Sequence, residues 1–191
     1  MLYYQILRAF RLEFILAIGF VTFSRVYLKN KGIKLKESAY IETTIISYLA
    51  GKPSRDLVVA AHQRITAEWW LQVTPKIELF VSPFVIEECE RGDKEAAQRR
   101  KNFLKGIKVL ELESGIQKIA EIYFEKLEIP EKARLDAAHI AIACYHKMDY
   151  FVTWNCAHIA SAKTRRSLEL LNKQLSLFTP VICTPEELME V

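Results

Sequence analysis

The sequence of 191 residues predicts an α/β fold in which helices cover both faces of a central parallel sheet. Short apolar runs of strand length alternate along the chain with longer segments of helical periodicity. The short runs are apolar throughout rather than at every second residue, which is typical of strands buried on both faces. The length fits one domain better than two, and a hydrophobic content of 51% is sufficient for a core.

An N-terminal apolar and basic extension, residues 1–36, precedes the predicted domain, residues 37–191. The net charge of +4 is concentrated in this extension, which carries +6 and leaves −2 for the remainder. A basic balance favours nucleic acid as a partner. Because the excess lies outside the predicted domain, it is weak evidence about what that domain binds.

The apolar run over residues 14–23 has three interpretations. It is a packed or membrane-surface helix, an inefficient export signal, or a stretch that is not part of the working protein. The run is too short to cross a bilayer, which takes about 20 residues, and no small-x-small cleavage site follows it. We favour the third interpretation and expect no membrane partner, with a membrane-associated protein as a competing hypothesis.

The four cysteines include no C-x-x-C pair, which predicts reduced thiols in a cytoplasmic protein. Cys144 with His146, and Cys156 with His158, have a Cys-x-His spacing that could suggest zinc. Residues two apart on a helix do not face each other. We therefore favour buried thiols and surface histidines over a zinc site.

The first half of the domain alternates predicted strands with helical segments. The strand over residues 38–41 ends at Glu42. Thr43 and Thr44 can cap the helix that follows, and Glu42 is an alternative cap. Ser82 followed by Pro83 is a typical helix start. The predicted helices of this half are 45–49, 56–73, 84–90 and 94–104, and the further strands are 77–81 and 108–112.

The second half continues the alternation. Ser114 is expected to cap a helix over residues 115–127. Asp136 lies in or near the first turn of the next helix, where the macrodipole favours a carboxylate. Polar Asn155 follows the next strand. The remaining predicted elements are the strand 150–153, the helix 163–174, the strand 181–182 and a helix from residue 184 onward. No glycine-rich phosphate loop is present, so dinucleotide and NTP sites are not expected.

Four polar side chains fall where a predicted strand ends or a helix begins: Glu42, Glu88, Asp136 and Asn155. In an open parallel sheet such positions converge at the carboxyl ends of the strands. Carboxylate and amide oxygens suit a hard divalent cation such as Mg²⁺ or Mn²⁺. Without a cation, the three carboxylates are expected to repel one another and raise each other's pKa values.

The segments around these residues resemble the four motifs of the PIN-domain ribonucleases, in particular a VapC-like toxin subgroup with glutamate in first place. The matching segments are residues 40–49 (YIETTIISYL), 85–92 (VIEECERG), 136–141 (DAAHIA), and 152–155 (VTWN) with 158–159 (HI). The resemblance extends over about residues 38–185. Each motif alone is weak, but four in order over one domain are fairly specific.

The resemblance implies a PIN-like three-layer α/β/α fold and a Mg²⁺- or Mn²⁺-dependent endoribonuclease. Glu42, Glu88 and Asp136 would then be metal ligands and catalytic residues, with Asn155 in the place of a fourth acid. It also implies the toxin of a toxin–antitoxin pair, with an RNA substrate, a small antitoxin partner and a homodimer. The apolar face of the helix 56–73 is a candidate docking surface.

Two departures from the family pattern affect this prediction. Glu42 reaches one methylene further than the aspartate that is commonest in first place. Asn155 removes one charge, which makes a one-metal scheme more secure than a two-metal scheme. Glu88 is preferred to Glu87 because it lies four residues before Gly92, with Glu87 left open. A PIN-like module that binds RNA or protein, with its catalysis impaired by Asn155, is the competing hypothesis.

Several other residues have both a functional and a packing interpretation. His139 lies one turn after Asp136 and could orient a ligand, contact a phosphate or be a satisfied core histidine. Thr43 could bind a ligand or water, or cap its helix. The tryptophans could stack on bases, but packing is favoured for Trp69, Trp70 and Trp154. A basic helix face, which we expect to be solvated rather than bound to RNA, holds Arg99, Arg100, Lys101 and Lys105.

Overall fold

The computed structural model describes residues 36–189. The predicted extension, residues 1–36, lies outside the described residues apart from Lys36, so its three interpretations stay predictions. Within the described range, no helix combines the length and the apolar character that crossing a bilayer requires.

Over residues 36–189 the chain forms five β-strands and eight α-helices in the predicted alternation. A short 3₁₀ turn, Glu131–Ala133, precedes the sixth helix. In chain order the elements are β1 (Ser38–Ile41), α1 (Thr43–Ala50), α2 (Leu57–Val73), β2 (Glu78–Val81), α3 (Pro83–Glu90), α4 (Lys94–Leu104), β3 (Lys108–Val109), α5 (Ser114–Lys126), α6 (Arg134–Tyr145), β4 (Tyr150–Val152), α7 (Ala162–Leu175), β5 (Val181–Cys183) and α8 (Pro185–Met189).

The strands form one parallel sheet in the order β3-β2-β1-β4-β5. The central strand, β1, is buried along its whole length, as its continuous apolar sequence predicts. Ile41 pairs with Val152, so β1 and β4 end at the same height. The predicted open parallel sheet is therefore confirmed.

The helices form two groups, and each helix packs against other helices of its own group. Helices α1 to α4 pack together with α8, which lies against α2. Helices α5, α6 and α7 are joined by Asn172 of α7, which hydrogen-bonds to Tyr123 of α5 and to Cys144 of α6. The chain runs from β1 to β2 and β3 in one direction and then to β4 and β5 in the other. Because crossovers are right-handed, the two groups cover opposite faces, which is compatible with three layers.

The order of the sheet reverses between the neighbouring strands β1 and β4. In open α/β sheets, the carboxyl ends of the strands at such a switch point border the crevice in which ligands bind. Glu42 directly follows β1, and Thr153 directly follows β4. The fold therefore brings two polar residues to the place where a site is expected.

Three predicted details differ in the structure. Helix α1 begins at Thr43, and its cap is Glu42, whose carboxylate accepts the Thr44 N–H. Ser114 is the first residue of α5 and not its cap, and the preceding Glu113 makes no capping bond through its side chain. Strand β3 covers only Lys108–Val109 because it is an edge strand, paired on one side, and both of its residues are exposed.

Candidate metal centre

Glu42 is held in place by three hydrogen bonds at the carboxyl end of the sheet. Its side chain is only 6% exposed. It accepts hydrogen bonds from Thr44 N at 3.1 Å, Thr44 Oγ1 at 2.6 Å and Thr153 Oγ1 at 2.8 Å. All three bonds end on Oε2, so they fix the carboxylate in place and leave Oε1 for another partner.

Glu88 of α3 is held in the same way, through one oxygen. Its Oε2 accepts hydrogen bonds from Thr43 Oγ1 and from His139 Nε2, the second at 3.2 Å. Burial acts to raise the pKa of Glu88, but the hydrogen bonds from His139 and Thr43 outweigh it and lower that pKa. Glu88 is therefore ionised at neutral pH, and its other oxygen, Oε1, takes no part in these bonds.

His139 lies at the centre of a buried chain of hydrogen bonds. It is 1% exposed, and its Nδ1 lies 2.6 Å from Tyr40 Oη, which in turn lies 2.8 Å from Ser82 Oγ. Burial holds the pKa of Tyr40 well above its ordinary value, so Tyr40 remains a phenol. An ionised Glu88 only accepts hydrogen bonds, so Nε2 of His139 carries the proton. The Nδ1 of His139 in turn shares a hydrogen bond with the Tyr40 hydroxyl, which is bonded to the Ser82 hydroxyl.

Asp136 and Asn155 form a second part of the site. Asp136 lies in the first turn of α6, and its Oδ2 accepts a hydrogen bond from Asn155 Nδ2 at 2.9 Å. The Asn155 N–H donates to Thr153 Oγ1, the hydroxyl that holds Glu42, at 2.9 Å. Burial raises the pKa of Asp136, and the nearby Glu42 carboxylate adds a smaller increase. Repulsion from Glu42 therefore contributes at Asp136, with desolvation the larger cause, but the predicted rise is wrong for Glu88, because hydrogen bonds lower the pKa of that carboxyl.

The four predicted residues do not form one equal cluster. Single ligand atoms of Glu42, Glu88 and His139 all lie within 4.8 Å of one another. Asp136 and Asn155 are outside that group and are connected to it through Thr153. Whether the four predicted residues act as ligands stays a prediction.

The structure distinguishes between the neighbouring glutamates of α3. Glu87 is exposed and pairs with Arg91 at 2.6 Å, whereas Glu88 faces Thr43 and His139. Successive residues of a helix point in different directions. Of the two, it is Glu88 that lies beside Glu42.

The donor set of this site fits a divalent cation. Within residues 36–189, no Lys or Arg forms an ion pair with Glu42, Glu88 or Asp136. A buried carboxylate without a counter-charge is costly, and a cation would supply that charge. Because Nε2 of His139 is bound to Glu88 through its proton, the available ligands are carboxylate oxygens, which Mg²⁺ and Mn²⁺ prefer.

Most of the residues for which the sequence allowed both a functional and a packing role either pack in the core or bind the end of a helix. Trp154 is buried, stacks on His62 at 4.0 Å and donates its Nε1–H to Thr66, and Trp69 is fully buried. On the basic face of α4, Arg99 donates to the carbonyl of Ala50, and Arg100 donates to those of Cys89 and Arg91. These two arginines therefore bind the carboxyl ends of α1 and α3.

The Cys-x-His pairs do not form metal sites. Cys144 is buried and accepts a hydrogen bond from Asn172, whereas Cys156 is exposed. Across the described residues, the group of Glu42, Glu88 and His139 is the one cluster of potential ligands close enough to hold an ion. The prediction of buried thiols is confirmed for Cys144 and wrong for Cys156, which is exposed.

Sequence reasoning missed the roles of four residues. Thr44 and Thr153 hold Glu42, and Tyr40 and Ser82 continue the hydrogen-bond chain from His139. One signal was available. A tyrosine in a fully buried strand needs a partner for its hydroxyl, and Tyr40 is such a residue. Thr153 follows a buried strand directly and lies two residues before Asn155, so a polar role was also detectable there.

Comparisons with known proteins do not assign the chain to a family. No protein-family model matches the sequence. No curated protein matches it either. The functional argument therefore depends on the residues and on the geometry described above.

Proposed function

We propose that this chain has a PIN-like fold and is a metal-dependent endoribonuclease that hydrolyses RNA phosphodiester bonds. One observation carries the proposal. Glu42, Glu88 and Asp136 are each anchored through a single carboxylate oxygen, at the carboxyl edge of the sheet, and keep the other oxygen available. Such preorganised acids are what binding a catalytic cation requires.

In this proposal, Glu42, Glu88 and Asp136 hold Mg²⁺ or Mn²⁺. The cation, when bound, polarises the scissile phosphate and lowers the pKa of a water ligand. Thr43 and His139 orient the Glu88 carboxylate, and Thr44 and Thr153 orient that of Glu42. Asn155 directs Asp136 by its amide hydrogen bond and adds no charge, which favours one cation over two.

The PIN-like part of the proposal is supported by the order of the four sequence motifs and by the all-parallel sheet. Three of the motifs supply an anchored acid, and the fourth supplies Thr153 and Asn155, which connect Asp136 to Glu42. The motifs are far apart in sequence and meet at the switch point of the sheet. This convergence is the arrangement that the resemblance implies.

Cleavage of a single-stranded RNA by the purified chain tests the proposal. We expect cleavage with Mn²⁺ or Mg²⁺, none with EDTA, and a loss of at least about 100-fold in Glu88→Gln, the scale for a group that acts on the transition state. Glu87→Gln is the matched control, because the neighbouring glutamate is exposed and pairs with Arg91. No metal-dependent cleavage by the unaltered chain, or equal loss in both variants, would contradict the proposal.

The competing function is a PIN-like module that binds RNA or protein without cleaving it. The observation that favours it is Asn155, an amide where the family pattern has an acid. Thermal unfolding with and without Mn²⁺ separates the two functions. A metal-dependent rise in Tm without any RNA cleavage would support the binding module.

We further propose that the chain is a homodimeric toxin with a small antitoxin partner. The support is the resemblance, together with large apolar side chains on α2 that face solvent, Leu57 at 86% and Leu71 at 75% exposure. Co-expression with a small reading frame beside the gene tests the partner. Loss of RNA cleavage and a stable complex are expected, and light scattering measures the number of copies.

A further inference from the structure

A groove between α5 and α6 has no assigned role. Its volume is about 420 Å³, within the usual range of small-molecule sites. Gln117, Glu121 and Phe124 line it from α5, and Arg134, Leu135 and Ala138 line it from α6. Arg134 and Leu135 directly precede Asp136 in the same helix. Asp136 does not line the groove, because successive residues of a helix point in different directions.

The groove contains a flat stacking surface. The guanidinium carbon of Arg134 lies 4.3 Å from the centroid of the Phe124 ring. Phe124 packs against the hydrophobic core, so its ring position is fixed. A guanidinium plane and an aromatic face are the two surfaces on which proteins stack unpaired nucleobases.

The polar side of the groove is suited to the edge of a base. Gln117 and Glu121 are one turn apart on α5, are both exposed, and hydrogen-bond to each other at 3.2 Å. Together they offer amide donors and carbonyl and carboxylate acceptors. A base edge presents donors and acceptors of the same kinds.

The helix position and the ion pair of Arg134 contribute little to stability. It lies at the first position of α6, where the helix macrodipole disfavours a cation. Its ion pair with Glu131 is solvent-exposed, with N and O 3.3 Å apart, and such surface pairs contribute little to stability. Its remaining contact is the stacking of the guanidinium on Phe124, which the proposed binding role uses.

We infer that this groove binds one unstacked nucleobase of a single-stranded RNA, with Arg134 and Phe124 as the stacking surface. The inference rests on the proposed function for its substrate class, RNA. Binding itself needs neither metal nor cleavage. It can therefore be measured separately from the nuclease activity.

The test is a fluorescence titration of the full chain, in EDTA, with 2-aminopurine ribonucleoside 5′-monophosphate. We expect stacking to quench the fluorescence, and Kd to rise about tenfold or more in Arg134→Gln and in Phe124→Leu. Lys118→Gln is the matched control, because it removes an exposed cation of α5 outside the groove and should leave Kd unchanged. Arg134 is exposed, so its variant should fold even if Phe124→Leu does not.

Three outcomes would overturn the inference: no quenching by the unaltered chain, equal binding by Arg134→Gln, or equal competition by ribose 5-phosphate, which lacks a base. Glu88→Gln should bind the nucleotide as the unaltered chain does. Nucleotide binding by a chain that cleaves no RNA would refute the nuclease proposal and support the groove. RNA cleavage without nucleotide binding would refute the groove and support the nuclease proposal.

Discussion

The Nε2 atom of His139 lies 3.2 Å from Oε2 of Glu88, and this contact determines which imidazole nitrogen carries the proton. Glu88 is ionised, so the hydrogen must come from the imidazole. The opposite nitrogen, Nδ1, lies 2.6 Å from Tyr40 Oη. In the metal-free protein His139 therefore orients the Glu88 carboxylate, and ¹⁵N NMR should show a proton on Nε2.

Replacing Tyr40 with Phe should weaken both the fold and metal binding. The change leaves Nδ1 of His139 and Oγ of Ser82 without their buried partner, which costs about 1–3 kcal/mol. Urea denaturation measures this loss, and a Mn²⁺ titration should show a higher Kd because Glu88 is less well oriented. Tyr150→Phe is the control, since that hydroxyl bonds to exposed Glu37 and lies at the opposite end of the sheet. Equal effects of both changes would argue against a positioning role for Tyr40.

Asp136→Asn should make the metal-free fold more stable while abolishing cleavage. Burial raises the pKa of Asp136, so its ionised form is disfavoured in the folded state. The protonated Asp136 carboxyl therefore contributes stability that is fully present below its pKa in the unfolded chain, near 3.8. This stability is lost as pH rises through its higher pKa in the folded state. The Tm gain of the amide variant should thus be present at pH 7 and vanish below pH 3.8. A lower Tm at pH 7 would contradict this.

Asn155→Asp should couple the stability of the protein to metal. The variant places a fourth carboxylate against Asp136, where the amide now donates a hydrogen bond. In EDTA, repulsion between the acids should lower the Tm relative to the unaltered chain. In saturating Mn²⁺ the increase in Tm should be larger than that of the unaltered chain, because binding to the folded state stabilises it. Equal increases in the two proteins would show that position 155 lies outside the reach of the cation.

Arg100→Gln should destabilise the domain without contacting the acids. Arg100 donates to the carbonyls of Cys89 and Arg91 at the carboxyl end of α3, and losing these charged bonds should cost about 1–2 kcal/mol. Lys101→Gln is the control, because its pair with Glu90 is about half exposed and should change stability by less than about 0.5 kcal/mol. Chemical denaturation compares the two. If Arg100→Gln changes the RNA Kd and not the stability, the basic face of α4 binds RNA after all.

The sheet and most helices were predictable because each of these elements has a local pattern in the sequence. Apolar runs such as residues 38–41 have one stable solution, a strand buried on both faces. Strand β3 was predicted too long, since a run of residues does not reveal that its strand will be paired on one side only. The cap of α1 was left open because Glu42 and the two threonines after it can all cap a helix, and only packing selects Glu42.

The site was predictable in outline and not in detail. Topology alone indicates that side chains after β1 and β4 meet, and it correctly placed Glu42 near Asn155. The hydrogen bonds within the site join residues that are distant in sequence, such as Thr153 and Glu42, which are 111 positions apart. Which of many buried hydroxyls reaches a given carboxylate depends on rotamers and on the exact packing of helices, and neither has a local sequence signal.

The pairing of Ile41 with Val152 has a consequence for how related chains can vary in length. Inserting or deleting one residue in β1 or β4 would turn Glu42 or Thr153 to the opposite side of the sheet, since side chains alternate along a strand. Loops such as residues 51–56 have no such constraint. Gaps in an alignment of relatives should therefore fall in those loops and be absent between residues 38 and 44 and between 150 and 155.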